Sequence, residues 1–137
     1  MVRNPTDERV SREELNAIGT SIVDACLCVH RALGPGLLES AYQECLTYEM
    51  ERRGHLVDRE VLIPLIYQGR KMNTAYRLDM VIDSSVIVEN KSIQALLPLH
   101  QAQLLTYLRL TNLRLGYLVN WNIPLIKDGI VRMVNRL

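Results

Sequence analysis

At 137 residues, with 48% hydrophobic and 23% charged residues, the chain is long enough to close a core without disulfides or structural metal, and its composition is globular, not disordered. A formal net charge of +1, from 16 Lys and Arg against 15 Asp and Glu, excludes a global positive field for nucleic acid or acidic lipid. Any basic surface must be local. One domain over residues 1–137 is expected. Cys26, Cys28 and Cys45 are odd in number, and Cys26-x-Cys28 is too close for a disulfide and unlike a CxxC redox or zinc knuckle. They read as reduced, mostly buried thiols of a cytoplasmic protein. No window approaches 18 uninterrupted apolar residues, so no membrane segment is expected.

Residues 1–10 read as a polar, partly mobile lead-in. Ser11 followed by Glu14 has capping-box spacing, and Leu15, Ile18, Ile22, Cys26, Val29 and Leu33 recur at steps of three and four. That predicts an amphipathic helix to about Ala32, broken by Gly34-Pro35-Gly36. A second helix is expected from near Leu37 to Arg53, with Gly54 as its stop. The period then changes. Residues 57–67 and 71–83, around Gln68-Gly69-Arg70, read as a β-hairpin, with Pro64 marking an edge or a bulge. Asp83-Ser84-Ser85 makes the next turn and Val86–Ser92 the next strand. A third helix over Pro98–Leu110, a buried strand in 113–121 and a final turn with a strand or short helix follow. The order ααβββαβ predicts an α+β fold with helices on a sheet.

In Val86–Ser92, strand alternation puts Ile87, Glu89 and Lys91 on one face and Val86, Val88 and Asn90 on the other. If the preceding hairpin closes at Ile82 and Val86 around a three-residue loop, facing residues have numbers summing to 168, and Asp79 faces Glu89. Facing Cβ atoms lie about 4.5–5.5 Å apart, close enough for two carboxylates to share a cation; without one, like charges destabilise the pair. A two-residue loop would instead set Asp79 against Asn90. The first register suggests Asp79 and Glu89 as oxygen ligands for a hard divalent ion, with Lys91 beside them to orient or deprotonate water or to offset charge at phosphorus. An ordinary Glu89–Lys91 salt bridge at a sheet end is the bland alternative.

Two helices converge on the same place. Gly36-x-x-Glu39-x-x-Tyr42 puts Glu39 and Tyr42 on one helix face, from which Glu39 can reach over the sheet as a further ligand. Its alternative is a first-turn acid complementing the helix dipole, with Tyr42 simply core. Gln103 and Tyr107 stand one turn apart on the third helix, suited either to a phosphate or to a polar rim. His100 reads as structural, and His30 and His55 lack a metal-spaced partner. Arg70, Lys71, Arg77, Arg109, Arg114, Lys127 and Arg132 read as solvated surface, with a phosphate track as the alternative. Aromatic residues are 5% with no Phe, which argues against a broad single-strand stacking platform.

Taken in order, GxxExxY (Gly36, Glu39, Tyr42), "YRLD" ending at Asp79, "VIVENK" with Glu89 and Lys91, "HQAQLLTYLRLTNLRLGYLVNW" and "KDGIVR" resemble the GxxExxY proteins of the PD-(D/E)XK nuclease-like superfamily, over about Ile18 to Arg132. The resemblance implies a restriction-endonuclease-like αβββαβ core with a mixed central sheet and its site at the splayed strand ends. It implies Asp79 and Glu89 as metal ligands, Lys91 as the catalytic lysine, Glu39 as an auxiliary acid, and Gln103 with Tyr107 as a QxxxY element. The cysteines do not resemble the four-cysteine set of iron–sulfur nucleases. One departure stands out. The middle residue of ExK is usually apolar, and here it is Asn90, which must find a hydrogen-bond partner, an edge or an interface because an unpartnered buried amide costs about 1–3 kcal/mol.

Three readings follow. The first is a nuclease dependent on Mg²⁺ or Mn²⁺ that hydrolyses phosphodiester bonds, of DNA sooner than RNA, through an activated water. The second is a catalytically silent nuclease-like module that binds nucleic acid or protein. The third is a structural domain whose acids and lysine form a salt-bridge network. The chain's small size makes a homodimer or a protein partner an open expectation; a membrane is not expected.

Overall fold

The structure is a computed structural model and describes residues 10–137. The expected lead-in lies outside the described residues except for Val10, which packs against the core and accepts a hydrogen bond from Arg114 Nη2 at its carbonyl.

Helix α1 (Arg12–Leu33) starts where the sequence signals it, with Ser11 Oγ accepting from the Glu14 N–H at 3.0 Å. Gly34, at φ +68°, ends it. Helix α2 (Glu39–Arg52) begins two residues later than expected: Gly36 takes φ +100° and Leu38 is extended, so Glu39 becomes its first residue. Strands β1 (Val57–Tyr67), β2 (Arg70–Ile82) and β3 (Val86–Lys91) form an antiparallel meander. Helix α3 (Pro98–Thr111) carries the chain across the sheet so that β4 (Leu115–Asn120) pairs parallel to β3. A 3₁₀ turn (Ile126–Gly129) then leads to β5 (Ile130–Val134), antiparallel to β4, which resolves the uncertain tail as a short turn followed by a strand. The sheet order is β1-β2-β3-β4-β5. The result is the α+β, mixed-sheet architecture expected, consistent with a restriction-endonuclease-like fold.

The sheet is buried on both faces. One carries α1 and α2, with Leu15, Ile22, Cys26, Tyr42, Leu46 and Met50 packed on Met80, Ile82, Val86, Val88 and Trp121. The other carries α3, with Leu104, Tyr107 and Leu108 on Leu78, Val81, Ile87 and Leu118. Each fully buried side chain of this size contributes roughly 1.5–3 kcal/mol. The three cysteines are free, but only Cys26 is buried; Cys28 is exposed and Cys45 half-buried. Two residues along a helix turn through about 200°, so Cys26 and Cys28 cannot both face the sheet.

Leu78 and Met80 are two residues apart yet bury on opposite faces. Strand alternation would put them together. The reversal falls at Asp79, and β1 shows the same change: Val57 packs on the α1/α2 side, whereas Val61 and Ile63 pack on the α3 side.

Candidate functional site

The β2–β3 turn closes around three residues, Asp83-Ser84-Ser85, with Asp83 and Ser84 at φ +51° and +55°. Its ladder pairs Ile82 with Val86, Val81 with Ile87 and Met80 with Val88, which is the register that sets Asp79 against Glu89. The ladder then stops. Asp79 N–H donates to Glu89 Oε2 at 2.8 Å, and Asp79 Oδ2 accepts from Asn90 N–H at 2.8 Å. Carboxylates replace carbonyls in the gap between two parting strands, so both acids are fixed by main-chain donors.

Burial, more than any neighbour, pushes the Glu89 carboxyl up to about 8, and the Asp79 charge adds to it. Asp79 is raised as well, again by burial first. Lys91 acts in the opposite direction on both acids, so its charge lies within reach of the pair. Its side chain makes no ion pair among the described residues, while its carbonyl accepts from Trp121 N–H at 2.9 Å. From the α3 side, Tyr107 is buried with its ring 5.7 Å from that of Tyr76. Burial raises its phenol, followed by the charges of Glu89 and Asp79, so it too stands against the pair. Gln103, one turn earlier, is exposed, and its side chain makes no hydrogen bond among the described residues.

The GxxExxY segment approaches from the other side. Glu39 Oε1 accepts from Ser92 N–H at 3.2 Å, and Ser92 Oγ donates to the Leu37 carbonyl at 2.6 Å, which ties the start of α2 to the residue after β3. Tyr42 is fully buried core: its hydroxyl donates to the Gly34 carbonyl at 2.5 Å and accepts from Leu37 N–H at 3.2 Å, holding the Gly-rich turn. Its ring stacks on Trp121 at 4.8 Å. Asn90 has the partner its burial demands, since Trp121 Nε1 donates to Asn90 Oδ1 at 2.9 Å. Each histidine serves the scaffold: His30 Nε2 contacts the Trp121 carbonyl, His55 Nδ1 contacts Asp83 Oδ2, and His100 Nδ1 accepts from Leu97 N–H at the start of α3.

Two contributors escaped sequence reasoning. Ser92 is one. The other is Glu60, which with Asp79 forms the unpaired step between the Arg59–Met80 and Val61–Leu78 pairs of β1 and β2. Glu60 sits at φ +53°, a left-handed conformation that costs a non-glycine residue about 1–3 kcal/mol. Its charge raises both Asp79 and Glu89, and its carboxylate is held by Arg77 Nε at 3.1 Å and Gln43 Nε2 at 3.4 Å. The signal lay in Pro64. Pairs near the hairpin tip sum to 137 and would set Glu60 against Arg77; the register shift between Pro64 and Ile66 raises the sum to 139 and sets it against Asp79.

Glu39, Glu60, Asp79, Arg59, Arg77 and Ser92 line one cleft of about 1040 Å³. Glu89, only 4% exposed, does not line it and is joined to it through the hydrogen bond from Asp79 N–H. A buried and a half-buried acid held together at the parting of two central strands, beside a lysine and a helix-borne glutamate, form a constellation with a known family pattern. A family model described as the PD-(D/E)XK nuclease superfamily matches residues 16–133. The chain belongs to the PD-(D/E)XK nuclease superfamily. The searches of curated proteins and of solved structures returned no match. PD-(D/E)XK nucleases generally use divalent metal ions. The donor set here fits such an ion: two adjacent carboxylates, both held against their normal ionisation, offer hard oxygens and gain from a cation between them. Among the described residues, however, no three His, Cys, Asp or Glu side chains form a ready ligand cluster, and Glu39 is engaged with Ser92. Among the described residues of this PD-(D/E)XK chain, no helix is long and apolar enough to cross a membrane.

Proposed function

We propose that this chain is a GxxExxY-type nuclease that hydrolyses phosphodiester bonds, of DNA in preference to RNA, with Mg²⁺ or Mn²⁺. The observation that carries the reading is the Asp79–Glu89 pair, fixed by main-chain donors where β2 and β3 part. Asp79 and Glu89 hold the ion, which when bound supplies a Lewis acid to activate water and neutralise phosphate charge. Lys91 orients the water and offsets charge at phosphorus. Glu39, at the cleft wall, is the auxiliary acid. Tyr107 bounds the pair from the α3 side, and Gln103, exposed one turn away, is free to hydrogen-bond phosphate. Incubating single- and double-stranded DNA and RNA with the protein in Mg²⁺ or Mn²⁺ tests this. Cleavage by wild type, lost in Asp79→Ala, Glu89→Ala and Lys91→Ala with the fold intact, supports it; activity retained in all three ends it.

A second reading, a silent nuclease-like binding module, draws on one observation: the acids do not form a three-ligand cluster and Glu39 is tied to Ser92. Nucleic-acid binding without metal-dependent cleavage is its signature.

A further inference from the structure

Beyond the acid pair, β1 and β2 continue as a two-stranded ribbon whose inner residues, Val61, Ile63 and Tyr76, pack on the α3 side. Its outer and tip residues do not. Leu62, Ile66 and Tyr67 are 68%, 50% and 62% exposed. Each is paired across the ladder with a basic residue: Leu62 with Arg77, Ile66 with Lys71 and Tyr67 with Arg70. Residues 61–78 contain these three basic residues and no Asp or Glu, in a chain whose formal net charge is +1. An edge strand often carries charges simply to block aggregation. That need is met by either sign, and it does not account for three cations facing three exposed apolar side chains.

The ribbon is continuous with the cleft, because Arg77 belongs to both. We infer that it is a duplex-binding arm, an inference that rests on the nuclease reading above and names its substrate as double-stranded. The major groove of B-form DNA, about 12 Å wide, admits a two-stranded β-ribbon. Arg70 and Lys71 meet phosphates, while Leu62, Ile66 and Tyr67 lie on sugars and base edges. At about 3.3 Å per residue, the seven steps from Arg77 to Arg70 span roughly 23 Å, so the arm contacts nucleic acid about 7 base pairs from the cleft. Arg77 is engaged with Glu60 at 3.1 Å, which leaves Arg70 and Lys71 as the exposed cations to alter.

The test compares wild type with the double variant Arg70→Glu/Lys71→Glu, binding a fluorescent duplex of about 24 base pairs by anisotropy in Ca²⁺ across a salt titration. The expected result is affinity reduced about 10-fold or more and a salt slope shallower by about 2, with an unchanged melting temperature. Equal affinity and slope in the two proteins overturn the arm. So does binding of anionic phosphatidylserine vesicles, but not duplex, by wild type, or a wild-type dimer that the double variant dissolves without any change in duplex binding. Cleavage of the same duplex in Mg²⁺ separates the two claims. If Asp79→Ala, Glu89→Ala and Lys91→Ala all cleave like wild type while the double variant loses binding, the nuclease reading fails and the arm stands. If cleavage requires Asp79 and the double variant binds like wild type, only the arm fails.

Discussion

The main-chain N–H of Asp79 donates to Glu89 Oε2 at 2.8 Å, so a carboxylate makes the hydrogen bond with which the β2–β3 ladder would have continued. The protein thus holds two acids together at a place where like charge opposes folding. Asp79→Asn keeps an acceptor for Asn90 N–H and removes one charge. Its cleavage should fall by more than about 100-fold, beyond what loss of a supporting shell residue costs a metal site. Melting in chelator at pH 8 should occur at the same temperature or higher. A marked drop in melting temperature would show that the pair is structural.

Glu89 gives the stability a distinct pH dependence. Its folded value, about 8, lies above the ordinary 4.5, so between these the native state binds more protons than the unfolded state. Stability contributed by the protonated group is full below pH 4.5 and is lost as pH rises through 8. Chemical denaturation of the metal-free protein from pH 5 to 9 should show wild type losing stability relative to Glu89→Gln, with saturating Mg²⁺ removing much of the difference. Parallel pH profiles for the two proteins would contradict this.

Much of this site was legible in sequence. Strand alternation put Glu89 and Lys91 on one face, and the three-residue turn fixed the sum of 168 that faces Asp79 with Glu89. Glu60 was not legible, because its position depends on a register shift at Pro64 whose size no local propensity dictates. The partner of Asn90 was hidden for another reason. Trp121 lies 31 residues on and reaches Asn90 only through the parallel β3–β4 register, which pairs Lys91 with Asn120. The late start of α2 was also hidden, since Leu37 and Leu38 continue an apolar run while Gly36 turns the backbone at φ +100°.

Asn90 and Trp121 should behave as one buried unit. Asn90→Leu leaves the indole N–H without its acceptor and should cost about 1–3 kcal/mol. Combining it with Trp121→Phe should cost less than the sum of the two single changes, as a double-mutant cycle by denaturant melting will read. Strict additivity would mean that the 2.9 Å bond carries no weight.

Glu39 accepts from Ser92 N–H and, in the proposed reading, is also the auxiliary acid. Glu39→Gln retains an acceptor for Ser92 N–H and removes the charge that acts on Asp79. Its fold should be unperturbed while kcat falls roughly 10- to 100-fold. Glu39→Ala should add a stability loss of about 1 kcal/mol. Wild-type kcat in Glu39→Gln would confine Glu39 to holding Ser92.

Calorimetric titration of Mn²⁺ and Mg²⁺ into wild type and Asp79→Asn, with and without a non-cleavable DNA duplex, tests most directly whether Asp79 and Glu89 hold a metal ion. We expect binding by wild type, tighter at pH 8 than at pH 6 because the ion displaces the Glu89 proton, and its loss in Asp79→Asn. Equal heats in both proteins, or none in either even with duplex present, would contradict it.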